Sequence, residues 1–456
     1  MKSITFLICL LLLQTTLAQP ITPEDTYNVR QYGAVADGKT DNTAAFQRAI
    51  DAATEKGGRV YIPAGQWLIA GSVRVKPGVA LVGTNVGPLS PYQLTGSVIL
   101  ATGGRGNENA EPLFELWNAS AAMGFTVYYP EQDVSNIQPY PWTFYQRNPP
   151  VVHSLTEKRP EDFNVTIKDI TLINSYNGIR TGPDENGRHL IRDVHGCVLR
   201  RGIFVDWVGD IGRIENVQFH SHFWFHPNTK GNWDKVFAYM QQNLEAFIFG
   251  RSDWEYVTNT FVFPAKIGYK FIKTANGTCN GQFLGIAADA TETCLVAEAI
   301  QSQGLLITNG QFNSHRKGRS TQIIVEKGCE GSIRFTNCGF WGPVEQNVQL
   351  LGDASVSFLN CYFSSNHVSK DPKNPNWSII AEAGKLQVQS CTFDGTQTDE
   401  VAQWTYGGNK RRPECIWLKK GVRHAIISNN MGWQGVSIKN EIGPKALLRD
   451  NEPVGN

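Results

Sequence analysis

From about residue 164 onward, apolar positions fall in short β-type runs alternating with polar ones, and no helical period runs through them. One unit keeps returning: a β-rich run, an Asn, then an apolar or aromatic residue shortly after. It reads Ile214-Glu215-Asn216-Val217-Gln218-Phe219, Val257-Thr258-Asn259-Thr260-Phe261 and Ile307-Thr308-Asn309-Gly310-Gln311-Phe312. Further copies are Phe335-Thr336-Asn337-Cys338-Gly339-Phe340 and Phe358-Leu359-Asn360-Cys361-Tyr362-Phe363, with Ser390 in place of Asn in a last one. Asn280 fits the same series, and the Asn markers then recur at 21 to 43 residues. A second run follows each unit, as in Gly202-Ile203-Phe204-Val205-Asp206, Tyr269-Lys270-Phe271-Ile272, Cys294-Leu295-Val296-Ala297-Glu298 and Ile323-Ile324-Val325-Glu326. Unequal intervals of this length, with several short strands in each, predict an all-β parallel β-helix solenoid. The second run is its first sheet, and the Asn marks the bend between the other two. Asn suits that bend because it tolerates the left-handed backbone a tight turn needs, and stacked coils should bond the Asn amides to one another. Variable intervals place long loops at 220–245 and 394–413.

Cys338, Cys361 and Cys391 occupy equivalent places in successive coils. Eight cysteines follow the leader, an even count that invites disulfides in an exported chain. In-register stacking instead favours an inward ladder of small apolar side chains. No Cys-x-x-Cys pair suggests structural zinc.

The first 18 residues read as a signal peptide: Lys2, an apolar core from Ile4 to Leu13, and Thr16-Leu17-Ala18 at the cut. The apolar run is short for a membrane span. Residues 19–456 are then expected to form one domain, secreted or periplasmic. Near-balanced charge, formally +1 over 456 residues, gives no electrostatic reason to expect nucleic acid as a partner. A hydrophobic share of 41% supports a large core, and 44 Gly with 12 Trp suit a turn-rich protein that binds something flat and hydroxylated.

The stretch Tyr27-Asn28-Val29-Arg30-Gln31-Tyr32-Gly33-Ala34-Val35-Ala36-Asp37-Gly38-Lys39-Thr40-Asp41, a helix over Ala44–Ala53, and Gly57-Gly58-Arg59-Val60-Tyr61-Ile62-Pro63 resemble the opening of the pectate-lyase/polygalacturonase-like superfamily. The resemblance covers about 27–86. It implies a right-handed parallel β-helix whose N-terminal helix, within a capping segment at 27–65, covers the open end of the stack, with coils at about 164–440. It also implies substrate lying along the first sheet. The polygalacturonase signatures Asn-Thr-Asp, Asp-Asp, Gly-His-Gly and Arg-x-Lys are missing from their places, and so is the pectate lyase Trp-x-Asp-His. No catalytic assignment therefore carries over, and the same shell serves hydrolases, lyases and adhesins alike.

Candidate chemistry must come from the residues. Glycoside hydrolysis needs two carboxyl groups, and coils about 4.8 Å apart can supply them from neighbouring turns. Outward first-sheet positions are expected to offer Asp206, Glu298, Glu326 and Glu382. Asp253 and Glu255 alternate in an extended run just after that sheet. The preferred cluster is Asp206, Asp253 and Glu255, with Glu298 and Glu326 next, although outward acids on a solenoid are commonly just solvated. The 220–245 loop is expected to wall the groove there. Trp207, Trp224, Trp233 and Trp254 are candidate sugar platforms, each equally explained by packing. His220, His222, Arg251 and Lys270 are candidate substrate contacts. His220, His222, His226 and Asp234 have the spacing of a metal set, but local hydrogen bonding accounts for such histidines more simply, and no metal or cofactor is assigned. Residues 100–160, rich in aromatics and proline, read as ordered loops beside the early coils. Asn118, Asn164, Asn276 and Asn376 begin Asn-x-Ser/Thr sequons.

Three functions fit: a glycoside hydrolase, a polysaccharide lyase using Arg180, Arg251, Lys270 or Lys273 to neutralise a uronate, and a non-catalytic glycan-binding β-helix. The expected partner is a polysaccharide or oligosaccharide, and the chain is expected to act as a monomer or homotrimer.

Overall fold

The computed structural model describes residues 25–87, 94–147, 164–225, 233–314, 320–342, 344–364, 377–394 and 414–455. The proposed signal peptide lies outside them, as do His226 and Asn376. Each late strand pairs in parallel with the third strand further along the chain. That rule winds the chain into a right-handed β-helix of three sheets. One coil illustrates it: Thr293–Ala297 on the first sheet, Leu305–Thr308 on the second, Gln311–Ser314 on the third, then Thr321–Val325 back on the first.

The bend between the second and third sheets is left-handed in coil after coil. Asn216, Asn259, Asn309, Asn337, Asn360 and Ser390 have φ between 52° and 56° or at 51°. The amides do bond along the stack: Asn360 donates to Asn337 at 2.7 Å, and Asn216 to Asp193 at 2.7 Å. Asn280 does not belong to this row. It lies at the start of the second-sheet strand Cys279–Leu284, and the bend of its coil is Gly285, φ 64°. A Cβ on Gly285 would come within 2.8 Å of the Asn259 amide oxygen, so the row passes through a residue with no side chain.

Inside, aromatic rings stack in register. Phe312, Phe340, Phe363 and Phe393 form one column with centroids 5.2, 4.8 and 4.9 Å apart, and Phe335 lies 4.9 Å from Phe358. Cys338, Cys361 and Cys391 form a parallel column, and all eight described cysteines are buried free thiols. Burial disfavours the thiolate and pushes Cys294 and Cys329 up to about 12.

Helix α1 (Thr43–Thr54) buries Ala45, Phe46, Ala49, Ile50 and Ala53 on the first coils, with Phe46 edge-on to Trp67 at 6.1 Å. It covers the apolar end of the stack as the resemblance implied. The coils start earlier than the repeat pattern suggested, because Thr26–Asn28 already pairs with Gly58–Tyr61. The aromatic region likewise lies within the stack. Phe114–Leu116 and Trp142–Gln146 are first-sheet strands, and Phe114, Phe125 and Phe144 pack together inside. Its described prolines, Pro112, Pro130, Pro139 and Pro141, fall between strands, which is why composition alone suggested loops.

Candidate functional site

Asp206, Glu298, Glu326 and Glu382 all stand one residue past the end of a first-sheet strand. They occupy the corner, not the outward face of the strands. Asp206 is turned inward and only 4% exposed. Its Oδ1 accepts from the backbone N–H of Trp207 and Arg251, both at 2.9 Å, and from Thr274 Oγ1 at 2.8 Å. Asn276 Nδ2 donates to Oδ2 at 3.1 Å. A carboxylate so fully bonded pins three coils together and has little left for substrate.

Glu255 is also internal. It is 0% exposed, accepts from Ser252 Oγ at 2.6 Å and lies 3.0 Å from His189 Nε2, itself fully buried. Asp253 and Glu255 do not share a face, because Trp254 between them adopts φ 60° and the ladder slips there. A left-handed residue breaks the two-residue alternation. Asp253 remains partly exposed, with its carboxylate held by Arg251 and, at 2.6 Å, by Gln301 Nε2. Trp254 projects into solvent, 60% exposed, and lines a shallow 170 Å³ groove on the second sheet with Tyr256, Asn280 and Leu306. Trp207, also left-handed at φ 50°, lies half-buried at the Asp206 corner.

The outward face of the first sheet gathers a different set. In register it presents Arg74, Glu115, Tyr145, Arg180, Phe204, Ile248, Lys270, Val296 and Ile324. The Arg180 guanidinium lies 4.9 Å from the Tyr145 ring and 5.2 Å from Phe204, and Arg147 lies 4.5 Å from Tyr145 on its own. Arg180 Nε is buried without a hydrogen-bond partner. Further along, Lys270 Nζ stands 3.1 Å from Glu245 Oε1 and 3.3 Å from Glu298 Oε1. Those two carboxylate oxygens are therefore no more than about 6.4 Å apart. Arg200 Nη1 lies 4.0 Å from the other oxygen of Glu245, Oε2. Glu326 follows Glu298 on the next rung, a coil spacing of about 4.8 Å away.

The structure thus brings Lys270 and Glu298 together and adds Glu245, which sequence reasoning missed. It sits just after helix α2 (Trp233–Asn243) in the segment read as a loop. Val236, Met240 and Leu244, four residues apart and buried, were the signal for that helix. The described residues of this segment do not wall Asp206 and Asp253. It joins the end of the third sheet to the start of the first, whereas those acids lie beyond the opposite ends of the first-sheet strands. His189 was missed too, because nothing local marks it.

His220 and His222 stack at 4.3 Å, and His220 also stacks on Phe263 at 4.7 Å. Trp224 packs against the core, its indole nitrogen buried and unbonded. Among the described residues no three metal-type side chains converge. His220 Nδ1 accepts from the His222 N–H at 3.0 Å, which requires that nitrogen unprotonated. Burial and the neighbouring His222 hold its pKa down at about 4. The native state then binds fewer protons than the unfolded chain between about pH 6.5 and 4. The resulting stability is present above about pH 6.5 and is lost as pH falls through that window. Urea midpoints should fall between pH 7 and 5, and should fall less in His220→Leu. An identical drop in both proteins would remove His220 from the account.

Comparisons with known proteins agree with this architecture. A family model described as rhamnogalacturonase A/epimerase, pectate lyase-like, matches residues 26–98. Alginate lyase 7 of Azotobacter vinelandii is 46% identical over 61 residues, which are 13% of this chain and 7% of that protein. The chain therefore spans only a small part of the curated relatives it matches. Among solved structures, the mannuronan C-5 epimerase AlgE6 A-module of the same organism superimposes with a TM-score of 0.50 at 14% identity, covering 94% of this chain and 99% of that one. The N-terminal fragment of bacteriophage phi29 gene product 12 gives 0.60 at 14% identity, covering 89% and 66%. Residues 26–98 thus match a pectate-lyase-like family model, and the described chain has the parallel β-helix fold of these solved structures.

Proposed function

We propose that the protein is an exported carbohydrate-active enzyme, a glycoside hydrolase that holds a polysaccharide along the outer face of the first sheet. The observation that carries this reading is the carboxylate pair Glu245 and Glu298 bridged by Lys270. One carboxyl protonates the glycosidic oxygen while the other attacks or activates water, and the upper limit on their separation admits the ~5–5.5 Å spacing of a retaining pair. Glu298 is the shared member, since Glu326 on the next rung offers a second partner. Export rests on the leader and on secretion being the natural setting for polymer-cleaving chemistry.

A specific observation favours a second reading, a lyase acting on uronates. Arg180 carries an unbonded buried Nε beside the Tyr145 phenol, a cation and an acid–base group of the kind elimination needs. The alginate lyase and mannuronan epimerases among the sequence relatives point the same way.

Digestion of a panel of neutral and uronate polysaccharides, following reducing ends and the ultraviolet absorbance of unsaturated ends together, tests the proposal. Reducing ends without absorbance are expected. Absorbance rising with them would replace hydrolysis by the lyase reading, and silence on every polymer would overturn both.

A further inference from the structure

The outer face of the third sheet carries a groove that the first-sheet chemistry does not use. It is open to solvent, offers about 490 Å³ and is lined by Gln311, Asn337, Gly339, Trp341, Asn360 and Tyr362, with Ser364 at its end. That volume lies within the ~300–1,000 Å³ range of small-ligand sites.

Its shape follows from one missing side chain. Gln311, Gly339 and Tyr362 are successive rungs of one outward row, and Gly339 leaves the middle rung empty. A Cβ there would come within 2.9 Å of Gln311 Oε1. The rings around the gap are exposed yet fixed at their polar tips. Trp341, 37% exposed, donates its indole N–H to Gln311 Oε1 at 3.1 Å. Tyr362, 43% exposed, donates its hydroxyl to Asp394 Oδ2 at 2.8 Å. A ring anchored this way loses little rotamer freedom when something stacks on it. Asn337 and Asn360, bonded to each other at 2.7 Å, present further amide donors and acceptors on the rim. Among the described residues that line it, none is charged.

Aromatic faces, fixed amides, a hydroxyl and the absence of charge match an uncharged pyranose, which offers apolar ring faces and a circle of hydroxyls. We propose that this groove is a second, non-catalytic site for a neutral sugar unit, on a different sheet from the proposed chemistry. It would anchor the enzyme on a neutral polymer independently of cleavage.

Affinity electrophoresis through gels containing glucomannan, xyloglucan, arabinoxylan or β-1,3-glucan tests this, with alginate and polygalacturonate as charged comparisons. The wild-type chain should be retarded by at least one neutral polymer, and Trp341→Ala should weaken that retardation about tenfold. Gly339→Gln, which fills the gap while keeping both aromatics, should weaken it as well. Val86→Ala, at an exposed position outside both sites, should leave it unchanged, and turnover measured in the groove variants separates this site's failure from that of the proposed catalysis. Retardation by no neutral polymer, by charged polymers alone, or equally in wild type and both groove variants would overturn the proposal. Matching thermal unfolding of the variants would confirm that they fold.

Discussion

Glu298→Gln is expected to lower turnover of whichever polysaccharide is cleaved by a hundredfold or more, an effect of about 10²–10⁴, with KM changed far less. The amide keeps the shape of the side chain but can neither donate a proton as an acid nor attack as an anion. Steady-state kinetics on the substrate found in the panel would measure it. Companion variants identify the partner: a comparable loss in Glu245→Gln points to the pair bridged by Lys270, and a comparable loss in Glu326→Gln to the pair along the corner. Glu382→Gln should be nearly silent, because Glu382 is three rungs further along and tied to Lys419 at 2.6 Å. Unchanged turnover in Glu298→Gln would remove this residue from the chemistry.

His189→Ala should destabilise the native chain by about 3–5 kcal/mol, the usual consequence of leaving a buried charged group without its partner. Both His189 and Glu255 are fully buried, and Glu255 would keep only Ser252. Gly212 packs so closely that a Cβ there would approach His189 and Glu255 within 2.4 Å, so the backbone closes one side of the pair. Denaturant unfolding, read from the transition that reports these coils, gives the number. Replacing both partners by apolar residues of similar size, as in His189→Phe with Glu255→Leu, should recover part of the loss. A change below about 1 kcal/mol in His189→Ala would mean that the pair is not holding a charge.

The architecture was legible in the sequence because a solenoid repeats its bends. Asn216, Asn337 and Asn360 need φ > 0, so they mark the same corner each time, and Cys338, Cys361 and Cys391 each fall directly after such a bend in three successive coils. Asn280 misled for the converse reason: it is an Asn in a β-rich run, but the left-handed position in its coil belongs to Gly285. The site was harder. Counting two residues at a time works inside a strand, and it placed Lys270 correctly on the outer face. It fails one step later, where the chain turns, so Asp206 and Glu298 looked alike although one is buried in hydrogen bonds and the other is half exposed. Trp254 upset the count again beside Glu255. Glu245 and Arg180 become a site only through the register between coils, and His189 meets Glu255 across 66 residues of chain. Such pairings are set by how many residues each loop inserts, which no local pattern states.

The buried cysteines have an experimental use beyond packing. They are spread from Cys197 to Cys415, each held reduced and shielded inside a different part of the stack. A thiol reacts with a labelling reagent only when its surroundings open. Mass spectrometry of alkylated peptides, sampled through a denaturant series, would therefore record the order in which this rod comes apart from its ends or its middle, with no reporter needing to be engineered.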